Sequence, residues 1–548
     1  MVDILLIQPP VQDFYLTAKR TLPYGLACIA SALRQCGFSV GILDGLAVSK
    51  SRPMAYPKEM DYLKAYYGRP DISPFALFHD FRRFGYSFEH IGKTVRASGP
   101  FIVGISSLFT AYSDMALETA RTVKAFHPKC ITVLGGHHPS ALPKAVLRHS
   151  AVDFIIRGEG EAGMPQLAEA LRDGQNPAEV PGIGFRRPDG SCHLNPPAVM
   201  DSLSDYPPPA LDLMPHHYYR RKKTGGSAVI VSSRGCPMKC TYCSVGAFGL
   251  PYRRRKIDAV IGEIREGVDR WQARFIDFED ENLSLDRDWF LRLLHEITNR
   301  FGELNLELRA MNGLFAPSLD ETVIRAMKRA GFRTLNLSLG TMSAVRLKRF
   351  RRPDVRAAVD AAIGSAHKEG LKTVSYIIVG APGQTAEESV RDLLYLAARP
   401  TLAGVSVYYP APGSIDFEAA TRSGLLPDHF ALMRSTALPI SDTTSRLESA
   451  TLLRLGRILN FLKSINCKNE VESSCSRHAK IDFAHARERI GRRLLRAFFK
   501  TGEIQGMTPE GEIYSHRVSG SVSNRFRSGL NEIQAFKENK IDDADLNF

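Results

Sequence analysis

The sequence predicts an α/β protein in three parts: an N-terminal doubly wound parallel sheet, a central partial (β/α)6 barrel and a mainly helical C-terminal region. Three observations carry that expectation. Short apolar, β-branched runs alternate with amphipathic stretches over residues 1–200, the pattern of parallel strands covered by helices on both faces. The alternation restarts at Ala228 and repeats about six times. Near residue 430 it stops, and basic amphipathic stretches follow.

Asp3–Gln8 (DILLIQ) reads as the first strand. Gly25–Cys36 follows as a helix, with Leu26, Ile29, Ala30 and Leu33 at helical spacing. Ser39–Leu43, Phe101–Ser106, Ile131–Leu134 and Phe154–Ile156 are further strands, and Asp114–Phe126 is an amphipathic helix among them. A sheet of this kind binds ligands at the carboxyl ends of its strands. Residues 45–99 are aromatic and irregular and read as an insertion near that ligand face. Residues 201–221 contain three consecutive prolines and form a linker. The barrel strands are Ala228–Ser232, Phe275–Phe278, Leu306–Arg309, Thr334–Leu339, Thr373–Val379 and Gly404–Tyr409. Helices such as Asp258–Trp271, Arg287–Arg300, Asp320–Ala330 and Ala386–Ala397 separate them, and the site belongs at the strand C-termini. Leu452–Ile465 and Arg487–Lys500 read as basic amphipathic helices, and the stretch from Gly520 as a polar, mobile end. The expected divisions are 1–200, 201–221, 222–430 and 431–548.

Composition bounds the function. Apolar residues make up 44% and charged residues 24% of 548, which excludes wholesale disorder. Lys and Arg total 72 against 58 Asp and Glu, a formal charge of +14 that suits an acidic partner without naming one. Nine cysteines are too sparse for a disulfide scaffold. The first residues, MVDILLIQPP, read as a buried strand and not as a signal peptide. No apolar run reaches the roughly 18 residues of a membrane span. The expected compartment is therefore the cytoplasm, where clustered cysteines favour metal over disulfide.

The strongest chemical signal is Cys236-Pro-Met-Lys-Cys240-Thr-Tyr-Cys243, a C-x3-C-x2-C spacing that follows the strand AVIVSS and the turn Arg234-Gly235. Three thiolates on one loop can hold three irons of a cubane and leave one open, whereas an electron-transfer cluster uses four cysteines. A structural zinc site would need a fourth Cys or His. None follows within forty residues, and His216 and His217 precede the loop by about twenty. The motif, with aromatic Tyr242 before its last cysteine and a barrel strand before its first, resembles the signature of radical S-adenosylmethionine (radical SAM) enzymes. The resemblance implies a 4Fe–4S cluster on Cys236, Cys240 and Cys243. Its open iron chelates SAM, and one electron cleaves SAM to a 5′-deoxyadenosyl radical that abstracts a hydrogen atom.

Further segments of the barrel carry the same resemblance. Phe278-Glu279-Asp280-Glu281-Asn282 ends the second strand, where relatives place carboxylates near the SAM amino group; Asp280 and Glu281 either serve there or cap a helix. Asn312 sits where the third strand ends. Tyr376–Thr385 resembles the fifth-strand turn that approaches adenine, with Gly380 and Pro382 allowing close backbone approach or simply making a turn. Tyr408–Ser414 resembles the sixth-strand ending. The fourth strand reads Leu337-Ser338-Leu339-Gly340-Thr341, where many relatives carry a glutamate-serine pair, so only Ser338 remains there as a SAM contact.

In the first 200 residues an ordered series lies at strand ends: Gly135-Gly136-His137-His138-Pro139-Ser140, then Val152-Asp153-Phe154, then Arg157-Gly158-Glu159-Gly160-Glu161. Glycine pairs at strand ends suit a large planar ligand or a phosphate. With Gln8-Pro9-Pro10 and Pro23-Tyr24-Gly25-Leu26, the series resembles the cobalamin-binding domain fused ahead of radical SAM barrels. No Asp-x-His-x-x-Gly element is present, so the resemblance implies cobalamin bound with its own base displaced and no histidine on the lower face. Ser106, Ser107 and Thr110 either hydrogen-bond the corrin or cap the helix near Asp114. His137 and His138 meet the cofactor edge or the cobalt. Glu159, Gly160 and Glu161 meet the nucleotide tail, or the glutamates cap the following helix.

Together these domains imply a radical SAM enzyme that uses a 4Fe–4S cluster, S-adenosylmethionine and cobalamin. The leading expectation is a methyltransferase acting on an unactivated carbon, or on phosphorus, of a metabolite or lipid. The alternative is a cyclase, oxidase or rearranging enzyme without methyl transfer. A methylthiotransferase acting on RNA would carry three more cluster cysteines, but Cys28, Cys36, Cys130 and Cys192 lack cluster spacing and read as core thiols, and Cys467 and Cys475 as free cysteines. The basic runs Arg220–Lys223 and Arg253–Lys256 raise the different reading of a nucleic-acid-binding regulator, but no recognised motif with interleaved aromatics accompanies them. Expected partners are a small-molecule or lipid substrate and an electron donor such as flavodoxin or ferredoxin. Arg492–Lys500 either lies on an anionic membrane or packs its apolar face on the barrel.

Overall fold

A computed structural model of the chain describes residues 1–14, 22–48, 51–220, 225–312, 314–469 and 480–533. Most of the basic run Arg220–Lys223, the side chain of Cys467 and all of Cys475 lie outside the described residues.

The N-terminal sheet comprises β1 (Ile4–Gln8), β2 (Val40–Asp44), β3 (Ile102–Ser106), β4 (Ile131–Gly135), β5 (Phe154–Ile156), β6 (Ile183–Arg186) and β7 (Cys192–Leu194). The first five run parallel in the order β2-β1-β3-β4-β5, and the β6–β7 hairpin adds an antiparallel edge. Each parallel strand is apolar because both faces are covered: Ile4, Leu6, Val133 and Ile156 pack on one side, and Leu5, Ile7, Val103 and Leu134 on the other. This order reverses direction between β1 and β3, so the loops after those two strands open the crevice where doubly wound sheets take their ligands. The expected strands are all present. The β6–β7 hairpin is an addition, and so is helix α1 (Phe88–Ser98), which lies inside the stretch read as irregular. That helix is capped by Ser87 and crosses from β2 toward β3. The rest of the insertion adds Ser51–Pro53 and Arg82–Phe84 to Val11–Asp13 in a small antiparallel sheet, and packs Tyr56, Tyr67 and Phe81 around Phe14.

The barrel has six parallel strands: β8 (Gly226–Ile230), β9 (Ala273–Phe278), β10 (Glu307–Ala310), β11 (Thr334–Gly340), β12 (Lys372–Val379) and β13 (Leu402–Val407). They form two three-stranded halves, β8-β9-β10 and β11-β12-β13, joined by the single bridges Leu308–Phe332 and Leu314–Leu337. This is the expected partial (β/α)6 barrel.

The C-terminal region is built into the barrel. Leu455, Ile458, Leu494, Phe498 and Phe526 share one apolar core with barrel residues such as Ile377 and Val407. Helix α2 (Arg446–Asn469) lies against β13, and Asn460 bonds both the amide and the carbonyl of Ala403 there. The apolar face of α3 (Lys480–Thr501) is spent on this core, which favours the packing alternative over a membrane-lying helix. Among the described residues no helix is long and apolar enough to cross a membrane. Two expectations fail here. Strand pairing does not end near 430, since Gln505–Met507 pairs with Ile513–Ser515, and the stretch from Gly520 opens with a helix, Gly520–Glu532, that buries Val522, Phe526 and Leu530.

Candidate active site

The cluster loop, residues 235–252, is framed by a two-stranded ribbon in which Ser233–Arg234 pairs antiparallel with Arg253–Arg254. Gly235 starts the loop with φ +80°, and a side chain there would strike the Pro251 carbonyl oxygen at 2.4 Å, so only glycine fits. Cys236, Cys240 and Cys243 are unpaired and line one cavity of about 250 Å³ with Tyr242, Glu281, Asn282, Asn312, Ser338 and Arg352. Burial pushes the Cys236 and Cys243 thiols up. Among the described residues no three Cys, His, Asp or Glu side chains converge closely enough to hold a single metal ion. The three thiols line one shared space, which fits the cubane that three thiolates on one loop can hold. His216 is taken up elsewhere, stacked on Trp271 at 3.6 Å and bonded to the Leu211 carbonyl.

The acidic segment after β9 divides its labour. Asp280 accepts from Ser232 Oγ (2.8 Å), Ser233 Oγ (2.5 Å) and the Ser232 amide (3.2 Å), so both its oxygens hold the turn beneath the cluster loop. Asp280, expected as a SAM contact, does not line the cavity, and two serine hydroxyls engage it instead. Glu281 does line the cavity, and its Oε2 and the Oδ1 of Asn282 are buried without partners. Unpaired buried acceptors are costly, and these two fit a bound ammonium. Asn282 closes the segment in which the sequence singled out only Asp280 and Glu281 as contacts. Asn312 is on the wall and donates to Glu279 at 3.2 Å.

Ser338 is also on the wall, bonded by a residue that sequence reasoning missed. Arg352 donates to Ser338 Oγ (3.0 Å) and to the Tyr242 hydroxyl (3.1 Å), while its Nε is buried without an acceptor. The nearest sequence signal is Gly340: at φ +83°, a side chain there would stand 3.2 Å from Arg352 Nε. Gly380 and Pro382 lie outside the wall. A side chain at Gly380 would meet Pro439 at 3.0 Å, and the Pro382 carbonyl accepts from Arg349, so these two shape the turn beneath the C-terminal region.

At the crevice of the N-terminal sheet, the loops after β3 and β4 interlock. The Ser107 amide donates to the Gly135 carbonyl (2.7 Å), and the His138 amide to the Ser107 carbonyl (3.2 Å). Gly136 has φ +117°, and a side chain on it would stand 2.7 Å from the Ser107 carbonyl oxygen. The helix after the β3 loop, Ser113–Phe126, is capped at Tyr112 without a side-chain bond, so Ser106, Ser107 and Thr110 cap nothing. Ser107 Oγ is buried without a partner, an orphan hydroxyl that fits a polar cofactor edge. Leu108 and Phe109 stand 45% and 56% exposed on the same loop. His138 is buried, bonded to Thr110 Oγ1 at 3.1 Å through Nδ1, and its pKa is pushed down to about 4 by burial. His137 is accessible at the rim of this recess.

Glu159, Gly160 and Glu161 turn out differently. Glu159 caps no backbone amide. Its carboxylate accepts from Arg253 (2.8 and 2.9 Å) and from the Met200 amide (2.6 Å), and Arg234 reaches Glu161 at 2.5 Å. A side chain at Gly160 would stand 2.6 Å from the tip of Ile29, so the helix packs closely there. In place of a ligand, arginines and the Met200 amide engage the two carboxylates here. Much of the basic run Arg253–Lys256 is engaged within the chain, since Arg254 also pairs with Asp286 and Arg255 with Glu263.

Comparison with known proteins agrees with this geometry. Residues 230–396 match the radical SAM superfamily and residues 70–168 the B12 binding domain. The cytidylyl-2-hydroxyethylphosphonate methyltransferase of Streptomyces wedmorensis is 26% identical over 79% of this chain and 84% of its own. The anaerobic magnesium-protoporphyrin IX monomethyl ester cyclase of Rubrivivax gelatinosus is 30% identical over 65% of this chain and 64% of its own. Among solved structures, the fold is similar to that of the cobalamin-dependent S-adenosylmethionine radical enzyme OxsB with aqua-cobalamin and S-adenosylmethionine bound. The TM-score is 0.64 at 14% identity, over 99% of this chain and 80% of that one. With three thiols around one cavity and an orphan hydroxyl in a doubly wound crevice, the chain carries a radical SAM domain and a B12 binding domain, and is an enzyme whose cofactors are a 4Fe–4S cluster, S-adenosylmethionine and cobalamin.

Proposed function

We propose that this enzyme is a cobalamin-dependent methyltransferase that places a methyl group on an unactivated carbon, or on phosphorus, of a small-molecule or lipid substrate. The observation that carries this reading is the apposition of two strand edges. The C-terminal end of β5 meets the cluster ribbon through Glu159 and Arg253, and the loop after β4 meets the chain beyond the barrel through His138 and Phe430, whose rings lie 5.6 Å apart. When bound, the cluster and SAM supply a hydrogen-abstracting radical, and cobalamin supplies a methyl carrier.

The chain's own residues prepare the space between them. Cys236, Cys240 and Cys243 hold the cluster. Glu281 and Asn282 offer free acceptors to the SAM ammonium, and Arg352 offers its unpaired Nε to an anion on the opposite wall. Ser106, Ser107, Gly135, Gly136 and His137 bound the cobalamin recess, with Thr110 and His138 as its packed floor. An external one-electron donor such as flavodoxin or ferredoxin completes the system, and the cytoplasm is its place.

The test is anaerobic reconstitution followed by product analysis. The holoenzyme is expected to show cobalamin absorbance and to convert SAM to both S-adenosylhomocysteine and 5′-deoxyadenosine, with Cys243→Ala abolishing the deoxyadenosine. A holoenzyme without cobalamin, or a Cys243→Ala variant that still cleaves SAM, would overturn the proposal. The relative from Rubrivivax favours a second reading, radical cyclisation without methyl transfer, for which deoxyadenosine would form without S-adenosylhomocysteine.

A further inference from the structure

Arg234 and Arg253 stand directly opposite each other on the ribbon that carries the cluster loop. Opposed residues of an antiparallel pair share a face, and like charges there repel. Their side chains are only 20% and 14% exposed, so water screens that repulsion poorly. Glu159 and Glu161 answer it. Each carboxylate is 6% exposed, Glu159 takes a two-pronged bond from Arg253 and a longer contact from Arg234 (3.5 Å), and Glu161 takes the other end of Arg234. Burial alone would raise the pKa of Glu159, but bonds from Arg253 and the Met200 amide hold it below the usual carboxylate range. The network also draws in the connecting chain, because the Glu159 amide donates to the Ala198 carbonyl at 2.9 Å.

The placement of these four residues is more telling than their pairing. Arg234 is two positions before Cys236, and Arg253 closes the same loop. Glu159 and Glu161 immediately follow β5, at the ligand edge of the sheet that carries the B12 binding domain. The clamp therefore ties the frame of one cofactor site to the strand edge of the other. We propose that the Arg234/Arg253–Glu159/Glu161 network is a positioning clamp that fixes the distance between the cluster and cobalamin sites, the distance that governs methyl loading, in which the electron pair of cob(I)alamin takes the SAM methyl group as its S–C bond breaks and S-adenosylhomocysteine leaves. This rests on the methyltransferase reading for its chemical consequence, but not for its geometry.

The experiment uses the reconstituted holoenzyme with its cluster, cobalamin and SAM and a titanium(III) citrate reductant. Glu159→Gln/Glu161→Gln is compared with wild type at matched iron and cobalamin content. Pulsed dipolar EPR between the reduced cluster and cob(II)alamin reads the distance distribution directly, and is expected to broaden. The ratio of S-adenosylhomocysteine to 5′-deoxyadenosine is expected to fall about 100-fold, the scale of an ångström-sized misplacement, while deoxyadenosine itself stays within about twofold. If the double variant does not fold, Arg253→Lys keeps the charge and removes the planar fork, with a smaller change of the same sign. The charge swap Glu159→Arg with Arg253→Glu should partly restore both readouts. An unchanged distance distribution in a folded variant overturns the clamp. A wild type that makes deoxyadenosine but no S-adenosylhomocysteine overturns the methyltransferase reading instead, and leaves the distance measurement to judge the clamp.

Discussion

The guanidinium of Arg352 donates to the hydroxyl of Tyr242 at 3.1 Å, joining the segment that follows the fourth barrel strand to a residue between the second and third cluster cysteines. The Tyr242 ring also meets Phe350 edge-on at 5.1 Å, and the Thr241 amide donates to the Phe350 carbonyl. The back of the cluster loop is thus seated on residues 350–352. Arg352 retains one buried, unused donor at the cavity. Arg352→Gln is expected to assemble a normal cluster, measured as iron content and absorbance, but to bind SAM about tenfold more weakly in an equilibrium titration, the usual scale for a hydrogen bond to a charged group. Unchanged affinity would reduce Arg352 to a support for Tyr242.

Gly136 gives a second prediction, on the cobalamin side. Gly136→Ala combines a left-handed backbone with a contact of 2.7 Å to the Ser107 carbonyl oxygen. Both effects push the β3 and β4 loops apart. The variant should lose about 2 kcal/mol in urea denaturation, and should release cobalamin on desalting where the wild type keeps it, as read from absorbance.

What the sequence could and could not reveal follows from range. Strands such as Ile102–Ser106 and Lys372–Val379 were legible because burial on two faces demands apolar, β-branched runs, a local property. The hairpin Ile183–Arg186 with Cys192–Leu194 was not, because an edge pair is short and half polar. Helix Phe88–Ser98 was missed because only Ile91, Gly92 and Val95 are buried along it. The cluster cysteines are adjacent in sequence, and so were read in full. The arginine partners of Glu159 and Glu161 were not legible because they lie 94 and 73 positions away, a distance at which a glutamate in a glycine-rich strand end looks like a cofactor contact.

His138 sets a pH dependence. Its pKa is pushed down to about 4 by burial, against about 6.5 in the unfolded chain. Between those values the unfolded state binds the extra proton, so stability rises with pH across the window. The contribution is complete above about pH 6.5 and is lost as pH falls through 4. Melting temperature should therefore drop on acidification from pH 6.5 to 4.5, and His138→Asn should flatten that part of the curve. An identical slope in the variant would place the acid sensitivity elsewhere.

The last prediction concerns the basic helix Lys480–Thr501. Its Leu494, Leu495 and Phe498 are buried in the core that also holds barrel residues Ile377 and Val407. Truncating Phe498 removes a large ring from a closed core, so Phe498→Ala should cost about 3–5 kcal/mol in denaturant unfolding. The loss should appear in one transition with the barrel, because helix and barrel share the core. A helix that lay on lipid would behave otherwise: its apolar face would be free, Phe498→Ala would leave stability nearly unchanged, and binding to anionic vesicles would fall. Flotation with phosphatidylserine-containing liposomes therefore separates the two. The expected outcome is a destabilised variant and a wild type that stays in the unbound fraction at physiological salt, where any attraction from the exposed Arg489 and Arg493 is screened within about 8 Å.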